Sequence, residues 1–231
     1  MNILSLDTSM GTCSAGVLCV SDGTRRMILR KENMVRGHAE ALMPMVAEAM
    51  AEVGLGFAEL DLIAATLGPG SFTGVRIAIA AARGFALATR AKLWGTDSLT
   101  VMARAAFDRG PIKGGNPFAV AVDARGDNLY FAVFDGTGCK LAGPLLTGAD
   151  EALSLLPDAL TNAVGTGAAH LADAAMRRGR CVDTALPDLQ PDAAALADLA
   201  FEAGETLPTL RPLYLRLPDA KPQVAAPLAR R

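Results

Sequence analysis

The chain has 231 residues, 51% hydrophobic and 20% charged, with a formal net charge of −2 from 22 basic and 24 acidic side chains. A chain of this length buries roughly 70% of its unfolded surface and needs no disulfide or metal framework to fold. Its basic residues are scattered, with clusters such as Arg25-Arg26, Arg177-Arg178-Gly179-Arg180 and Arg230-Arg231, and form nothing like the basic stripe of a stand-alone nucleic-acid binder.

In chain order, residues 3–18 (ILSLDTSMGTCSAGVL) read as an apolar strand ending in Asp7, a polar turn and a second strand. A helix is predicted from about His38 to Val53, with Leu42, Val46, Met50 and Val53 at helical spacing and Glu40, Glu48 and Glu52 between them. A strand over Leu60 to Leu67 leads into the turn GPGSFTG and a long helix to about Arg90. A short strand, Lys92 to Gly95, precedes Asp97 and Ser98, which read as caps of a helix ending near Phe107. Residues 109–117 are rich in turn formers and mark a boundary.

Beyond it, residues 119–134 (AVAVDARGDNLYFAVF) repeat the opening pattern, with Asp123 in the place of Asp7. A short helix near Glu151 to Leu156, a strand at Asn162 to Gly165, a helix from Ala168 to Arg178, a strand near Cys181 and a last helix over Asp192 to Gly204 follow. Alternating strands and helices argue for an α/β protein, and the echoed hairpins argue for two related lobes. The expected division is 1–108 for the first lobe, 115–217 for the second, and a mobile Pro/Ala-rich tail over 218–231.

Cys13, Cys19, Cys139 and Cys181 show neither Cys-x-x-Cys nor a histidine at zinc spacing, and read as small buried hydrophobes in a reducing compartment. The amino terminus enters a strand directly, without a basic segment ahead of an apolar one. The longest apolar stretch, 77–89, is broken by Arg83 and is short for a bilayer. The expectation is a soluble, cytoplasmic protein without a membrane role.

The turn Gly68-Pro69-Gly70-Ser71-Phe72-Thr73-Gly74-Val75-Arg76 follows an apolar strand and opens a helix. Its N–H groups could cradle an anion, or its glycines could serve a tight turn with close helix packing. It is not a Walker motif, since Val75 follows Gly74, nor a dinucleotide fingerprint, since the spacing is G-x-G-x-x-x-G. The helix after it is apolar nearly all round. Ile77, Ala80, Ala81, Gly84 and Ala88 form a face of small and apolar residues that suits either its own lobe or a partner helix, while Ile79, Ala82, Phe85 and Leu87 fill other faces. Met43, Met45 and Met50 on the preceding helix suit an adaptable shared surface.

GPGSFTGVR, LSLDTSMGTCSAGVL, VDARGDNLYFAVF and the late Pro212-Leu213-Tyr214-Leu215-Arg216 resemble, in order, the signatures of the TsaB family, also called YeaZ-like. The resemblance implies an actin-like ASKHA (ribonuclease H-like) fold of two lobes. In catalytic members of that superfamily Asp7, Gly70, Ser71 and Asp123 would hold phosphate or help to place a metal. Here they are candidates for a vestigial site, since Arg125 sits in the second hairpin turn. The catalytic relative, TsaD, carries a metal-binding His-x-x-x-His. This sequence has only His38 and His170, and its corresponding helix reads LTVMARAAF. The resemblance implies a non-catalytic scaffold in tRNA threonylcarbamoyladenosine (t6A) synthesis, binding a TsaD-like subunit and joined by a TsaE-like ATPase. ATP and metal would belong to those partners, and tRNA would be met only in the complex. Leu42, Met43, Val46 and Met50 with Ile77, Ala80, Ala81 and Gly84 are the expected partner face, and also serve for a homodimer. His170 after Gly165-Thr166-Gly167 is a weak nucleotide-contact candidate, and His38 reads as structural. An active ASKHA phosphotransferase, or a peptidase, is the alternative.

Overall fold

The computed structural model describes residues 1–110, 112, 115–124, 126–204 and 209–216. Arg125, Arg230-Arg231, the 218–231 tail and part of the 109–117 boundary lie outside the described residues. Strands β1 (Asn2–Asp7), β2 (Thr12–Ser21) and β3 (Thr24–Asn33) lead to helix α1 (His38–Val53), strand β4 (Leu62–Thr66), helix α2 (Phe72–Thr89), strand β5 (Lys92–Thr96) and helix α3 (Ser98–Asp108). The second half repeats the order: β6 (Phe118–Asp123), β7 (Asn128–Phe134), β8 (Lys140–Gly148), α4 (Ala149–Ala152), β9 (Asn162–Val164), α5 (Ala168–Arg177), β10 (Asp183–Ala185) and α6 (Ala193–Ala203).

The echo in the sequence is an echo in topology. One sheet runs β3-β2-β1-β4-β5 and the other, read the same way, β8-β7-β6-β9-β10. In each, the first strand pairs antiparallel with the second and parallel with the fourth. This is the duplicated ribonuclease H-like plan of the actin-like ASKHA fold. β1 and β4 are central and parallel, and β1 beyond Asn2 and all of β4 are buried, which is why they read as unbroken apolar runs.

Local signals explain the ends of the helices. Ser71, Asp97 and Asp192 cap α2, α3 and α6 through side-chain oxygens that accept from Gly74, Thr100 and Ala195 N–H groups. Gly54, at φ 78°, closes α1 and donates its N–H to the Met50 carbonyl.

The two repeats interlock in their packing. The third helix of each repeat crosses to the other sheet: α3 packs on β6 and β7, while α6 packs on β1, β2 and β4. One core therefore runs between the sheets, joining Ile3, Leu62 and Met102 to Phe118, Phe134 and Leu196. Two outer cores lie under α1 and α2, and under α4 and α5. The end of the chain also returns to the first lobe. Leu210 is buried in the α1/α2 core, and Leu213 N–H donates to the Leu67 carbonyl at 2.6 Å. Lys140, on β8, pairs with Asp97 at the start of α3.

Candidate functional site

The site begins where β1 ends. Asp7, Thr8 and Ser9 turn directly under the first turn of α2, and that contact uses much of what an anion would need. Ser71 N–H donates to the Ser9 carbonyl at 2.7 Å. A Cβ on Gly70 would overlap the Ser9 carbonyl, and one on Gly74 would overlap the Thr8 carbonyl. Of the two readings of the glycine-rich turn, close packing thus accounts for both glycines within the chain itself.

Asp7 is fully buried. One carboxylate oxygen accepts from the Ser9 hydroxyl at 2.7 Å, from Ser9 N–H at 3.3 Å and from the Thr66 hydroxyl. The other oxygen is buried with no hydrogen-bond partner. Burial, only partly offset by the Thr66 and Ser9 hydrogen bonds, raises the pKa from 3.8 to about 6. A carboxylate sealed under its own loop is poorly placed to meet a metal-bound phosphate. Among the described residues no group of three His, Cys, Asp or Glu comes together as a metal site.

Asp123 does reach the cleft between the lobes, a space of about 550 Å³ lined also by Gly70, Ser71, Tyr130, Thr166 and Tyr214. Asp7 is not among its lining residues, so the two equivalent aspartates face different environments. Asp123 contacts His170 Nδ1 at 3.2 Å, with both side chains substantially exposed, and its N–H donates to the Thr166 hydroxyl at 3.0 Å. Gly165 and Gly167 lie against β6, where Cβ atoms would overlap the Ala121 carbonyl and crowd Asp123 N. The Gly-Thr-Gly turn is thus also explained by packing. Nothing in the sequence signals the Asp123–His170 pair, whose members are 47 positions apart.

His38 is structural: its ring Nε2 lies 3.0 Å from the Met10 carbonyl, and its own carbonyl accepts from the Cys13 thiol. Cys13 is buried and Cys19 half-buried, but Cys139 and Cys181 are exposed, contrary to the expectation for all four. The basic residues of the two described clusters find partners within the chain. Arg25 pairs with Asp198, Arg177 and Arg178 with Asp150, and Arg180 donates to the Leu156 and Pro157 carbonyls.

The expected partner face requires correction. Leu42, Val46 and Met50 are buried against the lobe's own sheet, because their helical spacing is that of a core stripe. Of the α1 residues expected to dock, only Met43 is exposed. On α2, Ala80 and Gly84 are exposed and Ile77 and Ala81 half-buried. Leu87, further along the same apolar helix, is 88% exposed. A groove of about 750 Å³ between the first turns of α1 and α2, lined by Met34, Val35, Arg36 and Ile77, adjoins this face.

Comparison with known proteins agrees with this geometry. Residues 31–185 match the family model described as TsaD: tRNA N6-adenosine threonylcarbamoyltransferase. The chain is 35% identical to the Haemophilus influenzae tRNA threonylcarbamoyladenosine biosynthesis protein TsaB over 57% of its own length and 53% of that protein's. It is 34% identical to the Escherichia coli TsaB over 58% and 55%. It thus spans about half the length of these curated relatives. An uncharacterised Mycobacterium tuberculosis protein is 30% identical over 95% of this chain and 94% of its own. The solved structure of YeaZ from Pseudomonas aeruginosa superposes with a TM-score of 0.74 at 29% identity, covering 93% of this chain and 99% of that one. With the signature strings, the duplicated sheets and these matches in agreement, the chain belongs to the TsaB (YeaZ-like) family.

Proposed function

We propose that this chain is a non-catalytic, cytoplasmic scaffold in t6A synthesis that docks a TsaD-family subunit through α2 and the adjoining edge of α1. The observation that carries the reading is the exposure of α2. It is the one described helix long and apolar enough to cross a membrane by length and composition, yet only 28% of that stretch is buried. Arg83 donates to the Leu210 carbonyl and Arg76 to the Tyr214 hydroxyl, which ties the helix to its own chain and argues against insertion in lipid. An apolar face left uncovered in water is the usual mark of a protein partner.

Gly84 supports the same reading. A glycine inside a helix costs about 1 kcal/mol relative to alanine, and a Cβ here would meet nothing within 4 Å. No contact among the described residues explains it, whereas the close approach of a partner helix does. The sealed Asp7 fits a subunit that leaves ATP and metal chemistry to its partners, a TsaE-like ATPase among them. Without TsaD the same face is available to a second copy.

Light scattering of the purified chain mixed with its cognate TsaD-family subunit, wild type against Ala80→Glu, tests the interface. A carboxylate forced against an apolar helix costs several kcal/mol unless it reaches water. A heterodimer with wild type and none with a variant that still melts cooperatively supports the reading. Equal binding by both removes the α2 interface, and no binding by wild type removes the docking claim.

A further inference from the structure

α2 is entered from outside at one rung of its hydrogen-bond ladder. An unbroken α-helix joins each N–H to the carbonyl four residues earlier, which here pairs Ala78 N–H with the Gly74 carbonyl. The Thr8 hydroxyl donates to that carbonyl at 2.6 Å and accepts from that N–H at 3.1 Å. A side chain from the end of β1 thus bridges the two groups. Insertion of a side chain into the ladder is an established cause of helix bending.

The rest of the junction is built around this insertion. Thr8, Gly74 and Ala78 are all buried, so the hydroxyl is not readily replaced by solvent. The missing side chain of Gly74 lets the Thr8 backbone lie against the helix. Ser9 holds the loop from the other side, through Ser71 N–H on its carbonyl and the Ser98 hydroxyl at 3.0 Å. The exposed residues Ala80, Gly84 and Leu87 follow within the next turns of the helix.

We propose that Thr8 is a positioning residue for the α2 docking face. Its inserted hydroxyl fixes the direction in which residues 78–89 leave the glycine-rich turn, and so the angle at which the apolar face meets a partner. This rests on the docking reading above and adds to it a residue that touches no partner.

The test compares Thr8→Val, which keeps the shape and removes the hydroxyl, with Thr8→Ser, which keeps the hydroxyl. Both are made in the full chain. Two quantities are read: amide hydrogen exchange along α2 without any partner, and affinity for the TsaD-family subunit. Loss of one buried hydrogen-bonded group corresponds to about a tenfold effect. The valine variant is expected to exchange about tenfold faster over residues 75–82 and to bind about tenfold more weakly, with the serine variant within about threefold of wild type on both. Unchanged exchange in the valine variant overturns the insertion, whatever the affinity. Faster exchange with wild-type affinity overturns the positioning role. Should the valine variant fail to fold, Thr8→Cys, whose thiol bonds weakly, replaces it with the same expectations at smaller amplitude. If wild type does not bind the subunit, the docking reading and the positioning role fall together, while the exchange measurement still reports on the insertion separately.

Discussion

Replacing Asp7 with asparagine should change the pH dependence of stability more than stability itself. In the folded chain burial holds this carboxyl near pKa 6, against 3.8 for the free group. Between about pH 4 and pH 6 the folded state therefore keeps a proton that the unfolded state has released. Stability falls as pH rises through that window, and the fall is complete above the folded value. The gap between 3.8 and about 6 corresponds to about 3 kcal/mol.

Asparagine keeps an acceptor for the Ser9 and Thr66 hydrogen bonds and carries no charge. Its amide nitrogen would sit where the partnerless oxygen sits now, at a cost of about 1–3 kcal/mol that does not vary with pH. Urea unfolding of both proteins at pH 4 and pH 7.5 separates the two effects, because other titrating groups cancel in the difference. The variant should gain about 2.5 kcal/mol on wild type between the two pH values, because at pH 4 the unfolded chain has already released part of the proton. Parallel curves would refute the argument, since they would mean that the carboxylate is as well solvated in the fold as outside it. A gain of opposite sign would mean that a cation reaches it.

Three further outcomes follow from the packing. Gly74→Ala should destabilise the fold by at least about 3 kcal/mol in thermal or urea melts, because the new Cβ meets the Thr8 backbone and not a movable side chain. Gly84→Ala, where the space is open, should stabilise the isolated chain by about 0.5–1 kcal/mol while weakening docking. Leu210→Ala should cost about 2–5 kcal/mol in the same melts, since this residue near the carboxyl end is fully buried in the first lobe's core. A loss under 1 kcal/mol would show that the returning segment is not an integral part of that lobe.

Much of the architecture was legible in the sequence, and the failures have identifiable causes. Strands β1 and β6 announce themselves because central strands must be apolar throughout, and each ends in an aspartate at the start of a polar turn. β3 escaped because its sequence, TRRMILRKEN, is charged at both ends, as an edge strand tolerates when its cations find Glu48, Glu52, Asp192 and Asp198 on neighbouring elements. β8 escaped because it contains Gly143 and Pro144, which an edge position allows. The exchange of α3 and α6 between sheets leaves no local trace, since an apolar stripe does not say which surface it will meet.

The candidate site was legible as a string but not as a mechanism. Gly70 and Gly74 stand out in any reading, yet their use against Ser9 and Thr8 depends on contacts more than sixty residues away in sequence. The stripe Leu42, Val46 and Met50 signalled burial, and the error lay in assigning that burial to a partner. Gly84 and Leu87 are where the structure leaves the apolar pattern of α2 uncovered.

The most direct test of the scaffold claim is transfer of the threonylcarbamoyl group to tRNA in a reconstituted system of the TsaD-family subunit, its ATPase partner and this chain. The account expects transfer to depend on this chain, to persist with the double variant Asp7→Asn/Asp123→Asn, and to fail with Ala80→Glu. Loss of transfer in the double variant with docking intact would contradict it, because the two aspartates would then be performing chemistry that a scaffold does not.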